Sequence, residues 1–549
     1  MRKLLSAALA TSLLIGSMAI PPSYGANIWS DLKQAGEYEA SGDLDLAAPL
    51  WERSLDYFDD LGTEDAWNNS ALMAKKLGSY YDSVGDYEKA VLYYETEDKF
   101  WRLLGHDWGA ADIARANEIR SYVRYYVQSD SAPIELAKFE PESGIYLGIY
   151  AENDKKIGQQ IDLTDNVYGK DHAIYMYYQD FNQWMPSYTG SGQTAMDSIN
   201  AKRVEAAGGA LQVAMNAMSG LDVVTENQWL EKWAKEAASY DMPIFLRFCG
   251  EMNGDWVPWH GDPALYIEKY QLVHDVMAKY APNVVMVWCP NDVPVELNGQ
   301  KIEDYYPGDD YVDWVGVNFY VDYYDSGLTD LKSNHLQNPL THLEFMYENY
   351  ADKKPIMICE TGVSHYSIPN SEDVTQWGAA NLEKLYSMLP VVYPRVKAIT
   401  YLSLNQANPN YMVGNRWSNY ALSENNVVEE AYKNIISSDV FLSKVTETAV
   451  SPSQVYTIGD ESALLGTQDI ALDVKIPDFK VSKVNIFSDN GYNKSQTTLP
   501  FVIEKEALTG NIINIQILDS NGKVAINKLI KLDQLRNAKE SIAKGTANE

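Results

Sequence analysis

The chain has 549 residues, too many for one ordinary domain, so two to four domains are expected. A hydrophobic fraction of 46% and an aromatic fraction of 12% support large cores and exclude a disordered chain. With 76 acidic residues against 44 Lys and Arg, the net charge of −32 disfavours nucleic acid, anionic membranes and polyanionic substrates as partners.

In chain order, residues 1–26 read as a secretory signal peptide. Arg2 and Lys3 precede an apolar run from Leu4 to Ile20, and small residues follow at Ser23, Gly25 and Ala26. Export with no membrane anchor is therefore expected. Residues 27–135 read as α-helical with an internal repeat. Gly42, Asp43 and Ala47 match Gly85, Asp86 and Ala90 at a constant offset of 43. The pattern resembles tetratricopeptide repeats, with a period longer than the usual ~34 residues. Such a segment serves either as a docking place for a protein partner or as a structural collar.

From residue 140 to residue 440 the texture changes to eight apolar runs alternating with helical stretches. The runs are 144–152, 172–181, 210–216, 244–251, 283–292, 314–320, 355–362 and 397–405. Near-continuous apolar strands with helices between them predict a parallel sheet covered on its outside. Eight such units predict a (β/α)8 barrel. An open doubly wound sheet is the alternative, but no Gly-rich turn follows the first run. Residues 445–535 alternate apolar and polar positions between turns at Asn490-Gly491 and Asn521-Gly522, as in an immunoglobulin-like β-sandwich. That domain either binds carbohydrate or acts as a spacer. Residues 536–549 read as a polar tail.

Three cysteines, Cys249, Cys289 and Cys359, each end an apolar run. Three in an exported chain do not make a disulfide scaffold, and free, buried thiols are expected. No spacing among the seven histidines suggests a metal site, no cofactor is implied, and His260 and His365 read as rim residues.

Barrel chemistry sits at the carboxyl ends of the strands. Glu251 ends the fourth run and Glu360 the seventh, 109 residues apart, so the fold can bring them together across the mouth. Each alone reads equally as a helix cap or an ion-pair partner. Together, two facing carboxylates suit retaining glycoside hydrolysis, which needs a proton donor and a nucleophile ~5–5.5 Å apart. Arg247, four residues before Glu251, points to the same side and needs a carboxylate partner, with Glu360 as the candidate. Asn253 can donate to a sugar hydroxyl or orient the acid. Trp256 and Trp259 lie on the loop beyond the strand, either as stacking platforms for sugar rings or as loop-anchoring core.

The motifs "GEMNGDWVPW", "VVMVWCPN", "DYYPGDDYVDWVGVNFY" and "PIMICETG", in that order, resemble glycoside hydrolase family 26, retaining endo-β-glycanases best known as β-mannanases. The resemblance runs from about Gly144 to Ser437. It implies Glu251 as acid/base, Glu360 as nucleophile and Tyr320 as the tyrosine that orients the nucleophile. It also implies Trp288 as an aromatic near the sugar and Asn318 as a polar site residue. Two departures stand out: Gly250 replaces the family's common histidine, and Tyr401 stands where a strand-eight tryptophan is expected. The function expected is secreted, endo-acting hydrolysis of a polysaccharide by two glutamates. The substrate would be mannan-like, another neutral β-glycan or an exopolysaccharide. The alternative is a non-catalytic glycan-binding or exopolysaccharide-assembly protein that uses the helical repeats for partner contact.

Overall fold

The computed structural model describes residues 25–129, 135–151, 154–157, 160, 163–182, 199–292, 299–324, 335–407, 418–446 and 455–546. The expected leader lies outside these residues, apart from Gly25 and Ala26, which open the first helix. Two compact units, residues 1–121 and 122–549, are described separately.

The first unit contains five helices: α1 Gly25–Ser41, α2 Leu44–Leu61, α3 Glu64–Ser83, α4 Tyr87–Leu103 and α5 Ala110–Ile119. The sequence repeat is a repeat of helical turns. Gly42 and Gly85 both take a left-handed φ, of 85° and 77°. Asp43 N–H donates to the Tyr38 carbonyl and Asp86 N–H to the Tyr81 carbonyl, both at 2.9 Å, which satisfies the helix ends. Ala47 and Ala90 are fully buried, as close helix packing requires.

The second unit contains the barrel. Its strands are β1 Ile145–Tyr150, β2 Ile174–Asp180, β3 Ala210–Asn216, β4 Ile244–Phe248, β5 Val284–Trp288, β6 Trp314–Val321, β7 Ile356–Val363 and β8 Val396–Leu402. They pair in parallel in sequence order, and β8 closes on β1, with Thr400 opposite Gly148. Amphipathic helices cover the outside. Helix Gln228–Ala237 is started by the Asn227 side chain accepting from Leu230 N–H, and helix Pro263–Tyr280 by Asp262 accepting from Leu265 N–H.

Strand alternation then sorts the side chains. Phe245, Val285, Val287, Trp314, Met357 and Ala398 fill the lumen. Their neighbours Leu246, Met286, Trp288, Val315, Ile358 and Tyr401 face the helices. Gly316 has no room for a side chain, because a Cβ there would lie 2.6 Å from Cys359 Sγ and 2.8 Å from Cys289 Cβ.

The sandwich consists of two antiparallel four-stranded sheets, with one change from the sequence reading. Tyr122–Ser129, expected within the helical segment, is a strand between Val455–Gly459 and Ile470–Lys475. Its alternation explains the difference: Tyr125 enters the sandwich core, while Tyr126 packs into the barrel's outer layer. The barrel is thus inserted between the first strand of the sandwich and the rest. Helix Leu532–Thr546 runs from the end of the sandwich, where Leu532 enters the core, into the polar tail. Among the described residues no helix is long and apolar enough to cross a membrane.

Candidate active site

Glu251 and Glu360 both reach the mouth of the barrel, and local backbone irregularities put them there. On β7, Met357 and Cys359 face the lumen, so simple alternation would turn Glu360 outward. A register shift corrects this, because Val317 pairs with Ile358 but the next residue, Asn318, pairs with Glu360. Beyond β4 the chain passes through left-handed φ values at Cys249 (46°) and Glu251 (60°). Strained backbone of this kind concentrates at functional sites. Glu251 N–H donates to the Cys289 carbonyl at 2.8 Å, tying its backbone to the end of β5.

The surroundings of the two carboxylates differ. Glu360 is buried and ion-paired with the Arg247 guanidinium. Tyr178 hydroxyl donates to its Oε1 at 2.8 Å, and Tyr320 hydroxyl donates to its Oε2 at 2.7 Å. Burial and the negative charge of Glu360 push both phenols well above their ordinary pKa, so they remain donors. Burial alone would pull Arg247 down, but Glu360 holds it charged.

Among the described residues Glu251 has no direct ion-pair partner. Asn318 Nδ2 donates to its Oε1 at 2.7 Å, Asn291 Nδ2 to the same oxygen at 3.4 Å, and Trp256 Nε1 to its Oε2 at 2.6 Å. Burial first, then the nearby charge of Glu360, raises the Glu251 carboxyl above the ordinary carboxylate range. The hydrogen bonds from Asn318 and Trp256 and the charge of Arg247 oppose that shift.

The structure sorts the sequence-derived candidates into two groups. Glu251, Glu360, Tyr320, Arg247, Asn318 and Trp256 meet at the mouth. Trp256 is 49% exposed, as a sugar platform must be. Four others are placed elsewhere: the sugar contacts expected of Trp288 and Tyr401 are corrected here, and of the two roles left open for Trp259 and for Asn253 the structure shows the ones that need no sugar. Trp288 is fully buried among Tyr306 and Tyr350, because its parity on β5 turns it toward the helices. Tyr401 is likewise buried on the outward face of β8, its hydroxyl donating to the Tyr420 carbonyl at 3.0 Å. Trp259 is buried and anchors the loop, its indole donating to the Gly250 carbonyl at 2.8 Å. Asn253 exchanges two 2.9 Å bonds with the backbone of Asn291 and so braces the loop that carries the acid. His365 is also buried, with Nε2 3.1 Å from the Ala421 carbonyl, so it is not a rim residue; His260 is exposed.

Sequence reading missed Tyr178, Asn291 and Tyr420. Tyr178 had a signal: in "IYMYY", Ile174, Met176 and Tyr178 share the lumen parity, so the last of them had to emerge at the mouth. Tyr420 stacks on Tyr320 at 5.3 Å, and its hydroxyl donates to Asp322 at 2.8 Å. It arrives from beyond β8, which no local pattern foretells. Gly250, where the family commonly has histidine, lies against Arg247: a Cβ there would sit 3.2 Å from Arg247 Nε. All three cysteines are free and buried, as expected. A cleft of about 1970 Å³ opens between helix Thr375–Val392, helix Asn426–Ile436 and the sandwich, but none of the motif residues lines it.

Comparison with known proteins agrees with the motifs. Residues 193–362 match the family model described as Glycosyl hydrolase family 26. A β-1,3-xylanase from a Vibrio species is 30% identical over 104 residues, 17% of this chain and 20% of the relative. Endoglucanase H of Acetivibrio thermocellus is 30% identical over 141 residues, 24% of this chain and 15% of the relative. The matched segments thus span no more than a fifth of these two relatives. Among solved structures, a Cellulomonas fimi endo-β-1,4-mannanase double mutant aligns with a TM-score of 0.40 at 15% identity, covering 72% of this chain and 100% of that one. The resemblance read from the motifs is borne out over residues 193–362, which are similar to glycosyl hydrolase family 26.

Proposed function

Starting from that similarity, we propose that the protein hydrolyses internal β-linkages of a neutral polysaccharide with retention of configuration. The observation that carries this is the pairing of a buried carboxylate, Glu360, with a half-buried one, Glu251, in opposite surroundings at one barrel mouth. Glu360 faces a guanidinium and two phenol donors, which suit an ionised nucleophile. Glu251 is raised by burial and has only neutral direct donors, which suits a carboxyl that must hold a proton until the leaving oxygen takes it.

In the first step Glu360 attacks the anomeric carbon as Glu251 protonates the departing oxygen. In the second, Glu251 removes a proton from water as that water displaces Glu360. Trp256 offers an aromatic face to a sugar ring beside the acid. The reading includes export, which rests on the leader-like pattern of residues 1–26. It also includes a protein-docking role for the helical unit, which rests on its repeated hairpins.

The test is incubation of the full chain with β-1,4-mannan, β-1,3-xylan, mixed-linkage glucan and bacterial exopolysaccharides. Released reducing ends identify the substrate, and NMR of the nascent product gives its anomeric configuration. Retention on one of these glycans is expected. Inversion would overturn the nucleophile role. No hydrolysis of any would favour a protein that only binds glycan.

A further inference from the structure

The contacts around Asn318 have a consequence for where the acid's proton sits. An asparagine amide offers an oxygen and a nitrogen of nearly the same shape, so its orientation is set by its neighbours. Here Arg247 Nη1 donates to Asn318 Oδ1 at 3.0 Å, and Cys289 Sγ lies 3.2 Å from the same oxygen. Burial keeps the Cys289 thiol protonated, so it is a donor; Asn318 Oδ1 is the nearer of its two oxygen acceptors, the Pro290 carbonyl lying at 3.7 Å, and its remaining partner is the Cys359 thiol. Two donors aimed at Oδ1 exclude the flipped amide. Nδ2 must then point at Glu251 Oε1, and it does so at 2.7 Å. That oxygen also accepts from Asn291 at 3.4 Å. A carboxyl oxygen has two lone pairs, and both on Oε1 are taken. Among the described residues Oε2 accepts only from Trp256, which leaves it one lone pair.

We infer that Asn318, locked by Arg247 and Cys289, is a positioning residue that confines the transferable proton of Glu251 to Oε2, on the Trp256 side of the site. This rests on the acid role proposed above. In the glycosylation step the Oε2–H bond breaks and the proton goes to the leaving glycosidic oxygen. The resulting carboxylate keeps the three donors already aimed at it. Cys289 thus acts through Asn318 and needs no contact with sugar. Gly316 permits this, since any larger residue there would displace Cys289.

The test uses the full chain and the variants Asn318→Asp, Cys289→Ser and Cys289→Ala. Trp256 emission, taken as wild type minus Trp256→Phe, is followed against pH without substrate, and Glu251→Gln should abolish the transition. The charged and titratable groups facing Glu251 are Glu360, Arg247, Tyr178, Tyr320 and Cys289. All of these remain in Asn318→Asp. That change replaces a donor with a third carboxylate, so the midpoint should rise by about one pH unit or more. Cys289→Ser keeps a donor and should leave the midpoint in place, whereas Cys289→Ala should raise it by less than Asn318→Asp. An unmoved midpoint in Asn318→Asp, or equal shifts in the serine and alanine variants, would overturn the inference. Should Asn318→Asp fail to fold, the serine–alanine contrast still decides. A second arm measures reducing ends from the polysaccharide that the wild type hydrolyses best and turnover of an activated aryl glycoside of the same sugar. Asn318→Asp should lose about 100-fold on the former and much less on the latter. If no polysaccharide is hydrolysed, the proposed function fails while the emission arm still judges the placement of the proton.

Discussion

Arg247 lies on β4, four residues before Glu251 in the turn beyond it, yet its guanidinium pairs with Glu360 from three strands away. Its other arm reaches Asn318, which in turn holds Glu251. One cation therefore pairs with Glu360 directly and touches Glu251 only through a neutral amide. That asymmetry lets two carboxylates share a small, buried volume while keeping different chemistry.

Replacing Arg247 with Met should be the most destabilising change at the site. It removes the charge partner of a buried carboxylate and leaves it, among the described residues, the Tyr178 and Tyr320 hydroxyls as hydrogen-bond donors. Breaking a buried pair from one side costs about 3–5 kcal/mol. Denaturant unfolding of the variant should show a loss of that order. A loss below about 1 kcal/mol would mean that solvent reaches Glu360 far more freely than the fold indicates.

The two phenols on Glu360 make a second prediction. Tyr320→Phe and Tyr178→Phe each remove one hydrogen bond to a charged group, worth about 1.5–3 kcal/mol, so each should lower kcat about 10–100-fold. Tyr178 is 41% exposed where Tyr320 is half-buried, and it borders the open side of the site. Its loss should therefore also raise KM, while that of Tyr320 should fall mainly on kcat. Steady-state kinetics on the best polysaccharide separates the two. Equal KM for wild type and Tyr178→Phe would show that the sugar does not reach Tyr178.

Much of this arrangement was legible in the sequence. The eight apolar runs became the eight strands because a covered parallel sheet needs residues that are apolar on both faces. Glu251, Glu360, Tyr320 and Arg247 were legible because strand ends in a barrel open onto the mouth. Trp288 and Tyr401 were misread for a reason that alternation supplies: each sits one residue out of phase with the lumen positions of its strand. Glu360 shows the limit of the same rule, since only a bulge, invisible in the sequence, turns it inward. Tyr122–Ser129 escaped because a strand's partners more than 300 residues away leave no local trace.

The raised Glu251 carboxyl predicts a pH signature in stability. Its folded value lies above its unfolded one, so the protonated form is the one the fold favours. The group's contribution is fully present below the unfolded value of about 4.3 and is lost as pH rises through the folded value. Glu251→Gln stays neutral throughout. Its Tm relative to wild type should therefore rise across that window and level off above it, whatever constant offset the amide adds. Thermal melts of both proteins between about pH 4 and pH 8 supply the comparison. A difference that stays flat would mean that Glu251 titrates alike in the folded and unfolded chains.

Removing each carboxylate in turn separates their roles most sharply. Glu360→Ala has no nucleophile, so no glycosyl-enzyme can form from any leaving group. Azide can then attack from the vacated side and yield a glycosyl azide of inverted configuration. Glu251→Ala keeps the nucleophile but cannot protonate the departing oxygen, a loss of about 100-fold or more on polysaccharide. An aryl glycoside with a good leaving group needs little protonation, so its first step should survive and the intermediate should accumulate. Azide should also speed turnover of that intermediate, here giving a product of retained configuration, because the attack comes second. The same reagent thus yields opposite anomers with the two variants. Kinetics and NMR of the azide products on one activated oligosaccharide read both outcomes together. If Glu251→Ala gives the inverted azide and Glu360→Ala the retained one, the two assignments exchange. If both variants turn over polysaccharide like the wild type, the pair at the barrel mouth does not carry the chemistry.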